Sequence, residues 1–151
     1  MKLTVIKDRN LNDDYVEVKY RELTPTLHQI IQLCEDTRSV LLCEIENSTY
    51  NVDINDILYI EWIDGRSCVY TEDEVYTIPA PLKQLEESLN SKFFVRISKM
   101  ALVNIYKIKS VSNGLNFRLT VEMMNGENIV ANRNYRSGLL TSIRNLAKEV
   151  Q

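Results

Sequence analysis

The sequence predicts a mainly β (α+β) fold: an antiparallel β domain with short helices, preceded by a small β-β-α-β extension over residues 1–45. Short runs of β-branched and aromatic residues recur along the chain, bounded by turn signals at Ile63-Asp64-Gly65-Arg66, Asn113-Gly114 and Asn125-Gly126. Helical spacing of apolar residues is confined to three stretches, Leu27–Cys34, Leu82–Leu89 and Tyr135–Leu146.

The elements follow in order. Leu3–Ile6 and Tyr15–Tyr20 have β-favouring composition and read as two strands. Thr24-Pro25 supplies an N-cap and a proline at the first helical position, and Leu27, Ile30, Ile31 and Cys34 then share one helix face. A strand over Val40–Ile45 completes the extension, which is too small to be stable alone and is expected to support a homodimer. In residues 46–151, strands are expected near 49–52, 57–62, 68–71 and 74–78. Pro81 opens a helix whose face is Leu82, Leu85 and Leu89. A strand over Phe94–Ser98 follows, with Ser98 placed to cap a single helical turn. Further strands are expected near 108–112, 117–123 and 129–131, and Asn134 caps a terminal helix with Tyr135, Leu139, Ile143 and Leu146 on one face.

Composition narrows the function. The 151 residues are 44% hydrophobic and 26% charged, enough for a core. Uninterrupted apolar runs reach only four residues, as in Val40–Cys43, far short of the ~20 of a membrane-spanning helix. No secretory leader opens the chain, so the expected location is cytoplasmic, with Cys34, Cys43 and Cys68 reduced and buried. Their spacing and the single histidine, His28, give no metal site, and no cofactor is expected. No glycine-rich phosphate loop exists among four glycines, Ser67-Cys68 has no histidine beside it, and the acidic runs Glu72–Glu74 and Glu86-Glu87 read as solvated surface. An enzyme is not expected.

The net charge of −3 disfavours a polyanion partner, but its distribution does not. Residues 51–91 hold nine acidic and two basic side chains, whereas residues 92–151 hold ten basic and three acidic ones. Anion binding needs a local field rather than a global one, and the basic third is the candidate contact surface. The competing interpretation is that the two regions pack together and neutralise each other.

The most informative segment is Phe94–Asn104, FVRISKMALVN, which places Arg96, Ser98 and Lys99 between apolar anchors. A cation held on a rigid corner suits a phosphate or a base edge better than it suits catalysis. The segment resembles the signature of the LytTR family of bacterial DNA-binding domains, roughly F-x-R-x-H-R-S-x-h-V-N with h apolar, matched by Phe94, Arg96, Val103 and Asn104. Ile57–Glu61, the helix face Ile78, Leu82, Leu85 and Leu89, Ile108, and Ile129–Tyr135 (IVANRNY) resemble other family elements in the right order, over about residues 46–147. Ser98, Lys99, Met100 and Asn132 depart from the family's usual His, Arg, Ser and Ser, so the DNA sequence read is expected to differ.

The resemblance implies a sequence-specific transcriptional regulator of duplex DNA that reads its operator through loops of a β domain, not through a recognition helix. Candidate contacts are Arg66, Arg96, Ser98, Lys99, Asn132 and Arg133. The forked donors of Arg133 match the O6 and N7 of guanine, and Asn132 suits adenine or phosphate. Ser98 and Lys99 suit phosphate or mixed contacts. For Arg133 the alternative is a salt bridge with Glu122 or Glu127, and for Arg96 a structural ion pair. Asn104 is read as bonding backbone, with Leu102, Val103 and Tyr135 in the core. The ~45 residues before the module are too few for the receiver domain that family response regulators carry, so a stand-alone regulator is expected. The rival reading from another class is a LytTR-fold interaction module that binds another regulator or a membrane partner without reading DNA.

Overall fold

The structure, a computed structural model, describes residues 2, 4–12, 15–36, 40–89 and 93–150. The chain divides into two units, Met1–Ser39 and Val40–Gln151.

In the first unit the expected strands do not form. Residues 4–8 and 15–20 have no regular secondary structure, and Leu3 lies outside the described residues. Two short β-favouring runs with no sheet to join have no ladder to complete. The helix does form, as α1 (Pro25–Asp36), and its start is capped as the sequence indicates: the Leu27 N–H donates to Thr24 Oγ1 at 3.3 Å and the His28 N–H to the Thr24 carbonyl at 2.9 Å.

The strand expected to close the extension, β1 (Val40–Ile45), belongs instead to the second unit. It pairs along its length with β2 (Ser48–Asp53), and Glu44 sits opposite Thr77 of β5 (Val75–Ile78). Its alternation, with Cys43 buried and Leu42 exposed, is that of a half-buried strand. The β-β-α-β extension is thus corrected to a single capped helix after irregular chain.

The second unit holds two antiparallel sheets. The larger has seven strands in the order β2-β1-β5-β4-β3-β7-β6, where β3 is Tyr59–Ile63, β4 Arg66–Tyr70, β6 Phe94–Ser98 and β7 Ala101–Asn104. The smaller runs β10-β9-β8, with β8 Ile108–Asn113, β9 Leu119–Met123 and β10 Asn128–Ala131. The Asn125-Gly126 hairpin joins β9 and β10 as its sequence demands: Gly126 takes φ +86, which glycine adopts without a Cβ clash.

Each face of the large sheet has its own core. On one face Ile60, Val69, Leu102 and Ile78 meet Leu82, Leu85 and Leu89 from α2 (Leu82–Ser88) and the residue after it. On the other, Tyr59, Ile97, Ala101 and Val103 meet Leu119, Val121, Met123, Ile129 and Ala131 of the small sheet and Leu139 of α3 (Arg136–Val150). Asn104, 2% exposed, joins these layers. Its Nδ2 donates to the Ile57 carbonyl at 2.9 Å, and its Oδ1 accepts the Tyr106 N–H at 3.1 Å. Among the described residues no buried side-chain nitrogen or oxygen lacks a partner. Cys43 alone of the three cysteines is buried, which pushes its thiol up to about 11; Cys34 is exposed and Cys68 half-buried, contrary to expectation.

Candidate nucleic-acid interface

The corner after β6 differs from the expected helical turn. Ser98, Lys99 and Met100 form a tight β-turn that leads directly into β7. Ser98 Oγ accepts the Met100 N–H at 3.1 Å, a local bond that favours turns over helix. The register slips between Arg96 and Ser98, which leaves Ile97 as an extra, bulged residue. Its carbonyl, out of the β6–β7 ladder, accepts the Asn132 N–H at 2.8 Å. That bond ties the turn carrying Lys99 to the segment carrying Asn132 and Arg133.

Asn132 is the N-cap residue of a 3-10 turn over Arg133–Tyr135 that runs into α3; its side chain makes no cap bond and is exposed. The expected cap residue Asn134 lies inside this 3-10 turn, two residues before α3 begins. Arg133 is exposed and makes no salt bridge among the described residues. The acids considered for it are engaged elsewhere. Lys109 and Ser110 bond Glu122 at 2.9 and 2.8 Å and hold its carboxyl below the usual range; Tyr59 Oη and Asn125 bond Glu127 at 2.8 and 2.9 Å. Lys99 is exposed and likewise has no acidic partner among the described residues.

Arg66 stands at the same end of the large sheet. It opens β4 opposite Ile63, after the Asp64-Gly65 turn, and the Trp62 N–H donates to the Met100 carbonyl at 2.9 Å. The β3–β4 turn and the Ser98–Met100 turn are therefore neighbours.

Arg96 is committed differently. Its Nε donates to the Ser98 carbonyl at 2.8 Å, Nη2 to the Lys99 carbonyl at 2.6 Å and Nη1 to Glu86 Oε2 at 2.7 Å. Each guanidinium nitrogen is thereby engaged within the protein, and two of the three bonds go to the turn that carries Lys99. The structural ion pair considered for this residue is present, with an added brace on the turn.

Sequence reasoning missed a third loop. A depression of about 320 Å³ beside Asn132 and Arg133 is also lined by Asn116, Arg118 and Asn134. Asn116 and Arg118 come from the β8–β9 connection, and Arg136 Nη2 at the start of α3 donates to Asn113 Oδ1 at the end of β8 at 2.7 Å. The Asn113-Gly114 signal marked a turn there but not its neighbours. Among the described residues no group of His, Cys, Asp or Glu is arranged to hold a metal, and no helix is long and apolar enough to cross a membrane.

This arrangement of loops on two antiparallel sheets has relatives. The sequence matches the family described as LytTr DNA-binding domain over residues 47–144. It is 27% identical over 128 residues to the sensory transduction protein LytT of Bacillus anthracis, covering 85% of this chain and 48% of that protein. It is 26% identical over 100 residues to the transcriptional regulatory protein LytR of Staphylococcus aureus, covering 66% of this chain and 41% of that one. The chain thus spans about half the length, or less, of the curated relatives it matches. The solved LytTr DNA-binding domain of a methyl-accepting/DNA response regulator from Bacillus cereus superposes with TM-score 0.66 at 23% identity, over 70% of this chain and 96% of that one, and shares the fold. The chain belongs to the LytTR family of DNA-binding domains.

Proposed function

We propose that this chain is a cytoplasmic, sequence-specific regulator of transcription that grips duplex DNA through loops gathered at one end of its β domain. One observation carries the reading. The Asn132 N–H to Ile97 carbonyl bond joins two segments far apart in sequence, so that Lys99 and Arg133 sit on adjoining corners with no acidic partner among the described residues. Arg133, Asn132 and, from the third loop, Asn116 and Arg118 address base edges; Lys99, Ser98 and Arg66 address phosphates. Arg96 acts as the brace of the Lys99 turn. The names of the LytT and LytR relatives support a regulatory role. The working assembly is a homodimer reading paired half-sites, which sedimentation with and without the duplex tests.

The test of the interface starts from duplexes selected out of a random pool. Arg133→Ala is expected to cost about 1–3 kcal/mol of specific affinity and to broaden base preference. Lys99→Ala is expected to weaken all duplexes evenly and to flatten the salt slope by about one unit. Unchanged binding by both variants overturns the assignment.

A further inference from the structure

We propose that Leu115 and Phe117 form an apolar knuckle that reads thymine methyl groups in the major groove. The inference rests on the duplex-binding reading above. Leu115 is 86% exposed and Phe117 77% exposed, the most exposed large apolar side chains among the described residues of the second unit. They flank Asn116, which lines the depression shared with Arg118, Asn132 and Arg133.

The knuckle is held open rather than left loose. The Gly114 N–H donates to the Arg118 carbonyl at 2.9 Å and the Arg118 N–H to the Leu115 carbonyl at 3.2 Å, which closes the loop on itself. Asn116 and Phe117 both take left-handed backbone, at φ 56 and 60. Asparagine tolerates that region, but a bulky phenylalanine rarely enters it, and such conformations gather at binding sites. The chain therefore presents two apolar groups to solvent on a fixed mount when collapse onto the protein would have hidden them.

The surroundings select the occupant. The neighbours are Asn113, Asn116, Asn132 and Asn134 with Arg118, Arg133 and Arg136, which are polar or cationic. Two isolated side chains in such a field are too small a core for a protein interface, which buries on the order of 800 Å² per partner. On a base-pair edge in the major groove, the apolar feature is the thymine 5-methyl group, next to the acceptors that Arg and Asn read. The apolar knuckle beside a cationic, amide-lined depression is complementary to that edge.

The experiment replaces each thymine of a selected duplex, one at a time, by deoxyuridine, which removes only the methyl group. Affinities are measured by fluorescence anisotropy for the full chain and for Phe117→Ala and Leu115→Ser, with folding checked by circular dichroism. At one or two positions the wild type is expected to lose about fourfold in affinity per methyl, the worth of one buried carbon. The loss is expected to vanish in one of the two variants. Both variants should bind unselected duplex as the wild type does. Thymine replacements without effect on a wild type that still depends on Arg133 overturn the knuckle and leave the DNA reading standing. Equal losses in wild type and both variants overturn the knuckle as the reader. Absence of any selected duplex defeats both.

Discussion

Removal of the Arg96 guanidinium distinguishes a brace from a DNA contact. Arg96→Ala deletes two bonds to turn carbonyls, at 2.8 and 2.6 Å, and one to Glu86 at 2.7 Å. The Glu86 side chain is 42% exposed, so that pair contributes at most about 1 kcal/mol after solvent screening. The carbonyl bonds have a charged donor whose side chain is only 21% exposed, but the turn's carbonyls regain water when it leaves. About 1 kcal/mol each is the appropriate scale. The total is about 2–3 kcal/mol, to be read from urea midpoints at constant slope. Arg96→Lys keeps the charge but has a single ammonium for three acceptors, and about half the loss is expected to remain. Glu86→Gln leaves both carbonyl bonds and should cost under about 1 kcal/mol. On selected duplex, Arg96→Ala should weaken binding through a loosened Lys99 turn while the salt slope stays that of the wild type. A phosphate contact would instead lower the slope by about one unit with stability intact. That second pattern would refute the brace.

Two further predictions concern the scaffold. Asn104→Ala leaves the Ile57 carbonyl and the Tyr106 N–H without their side-chain partner beneath both cores, and is expected to cost about 2–4 kcal/mol in chemical denaturation. Tyr59 is raised above its ordinary 10.0 by burial, and by its bond to the Glu127 carboxylate. Its neutral form is thus favoured in the folded state. The contribution is whole below pH 10 and declines as pH rises above it, so wild-type stability should fall there more steeply than that of Tyr59→Phe in the same titration.

What was legible in the sequence was local. Asn125-Gly126 made its hairpin because the dipeptide carries the required backbone conformation. Thr24-Pro25 capped its helix, and Asn104 bonded backbone as expected. Strand β7 was not assigned, because the turn before it has no glycine, proline, Asn or Asp, and its one turn-favouring residue, Ser98, serves equally as a helix cap. The membership of β1 was misjudged since a strand's partners are not written in its own residues; only pairing with β5 moves it into the main sheet. The β8–β9 knuckle was hidden for a related reason. Phe117 reads as the start of a strand, whereas left-handed backbone at a phenylalanine has no sequence signal. Arg96 reads from its sequence as either a DNA contact or a structural ion pair, and only the distances to Ser98, Lys99 and Glu86 bring out the structural bonds.

The net charge of −3 is compatible with an anionic partner because the charges are sorted along the strands. Some cations are neutralised: Arg96 pairs with Glu86 and Lys109 with Glu122 at 2.7 and 2.9 Å, while Lys107 lines a pocket with Asp53, Asp56, Glu72 and Asp73. Arg66, Lys99, Arg118 and Arg133 make no salt bridge among the described residues; of the acids near them, Asp64 lies at the β3–β4 turn and Glu86, beside the Lys99 turn, is taken up by Arg96. The acidic tip Glu72–Glu74 follows the far end of β4. A five-residue strand spans ~17 Å, about two Debye lengths at physiological salt. At that separation the acidic tip scarcely weakens the field at the cationic end, while it repels phosphates from a reversed approach. Sorting of this kind favours one orientation on the duplex, so Arg133 and the third loop would meet base edges rather than solvent.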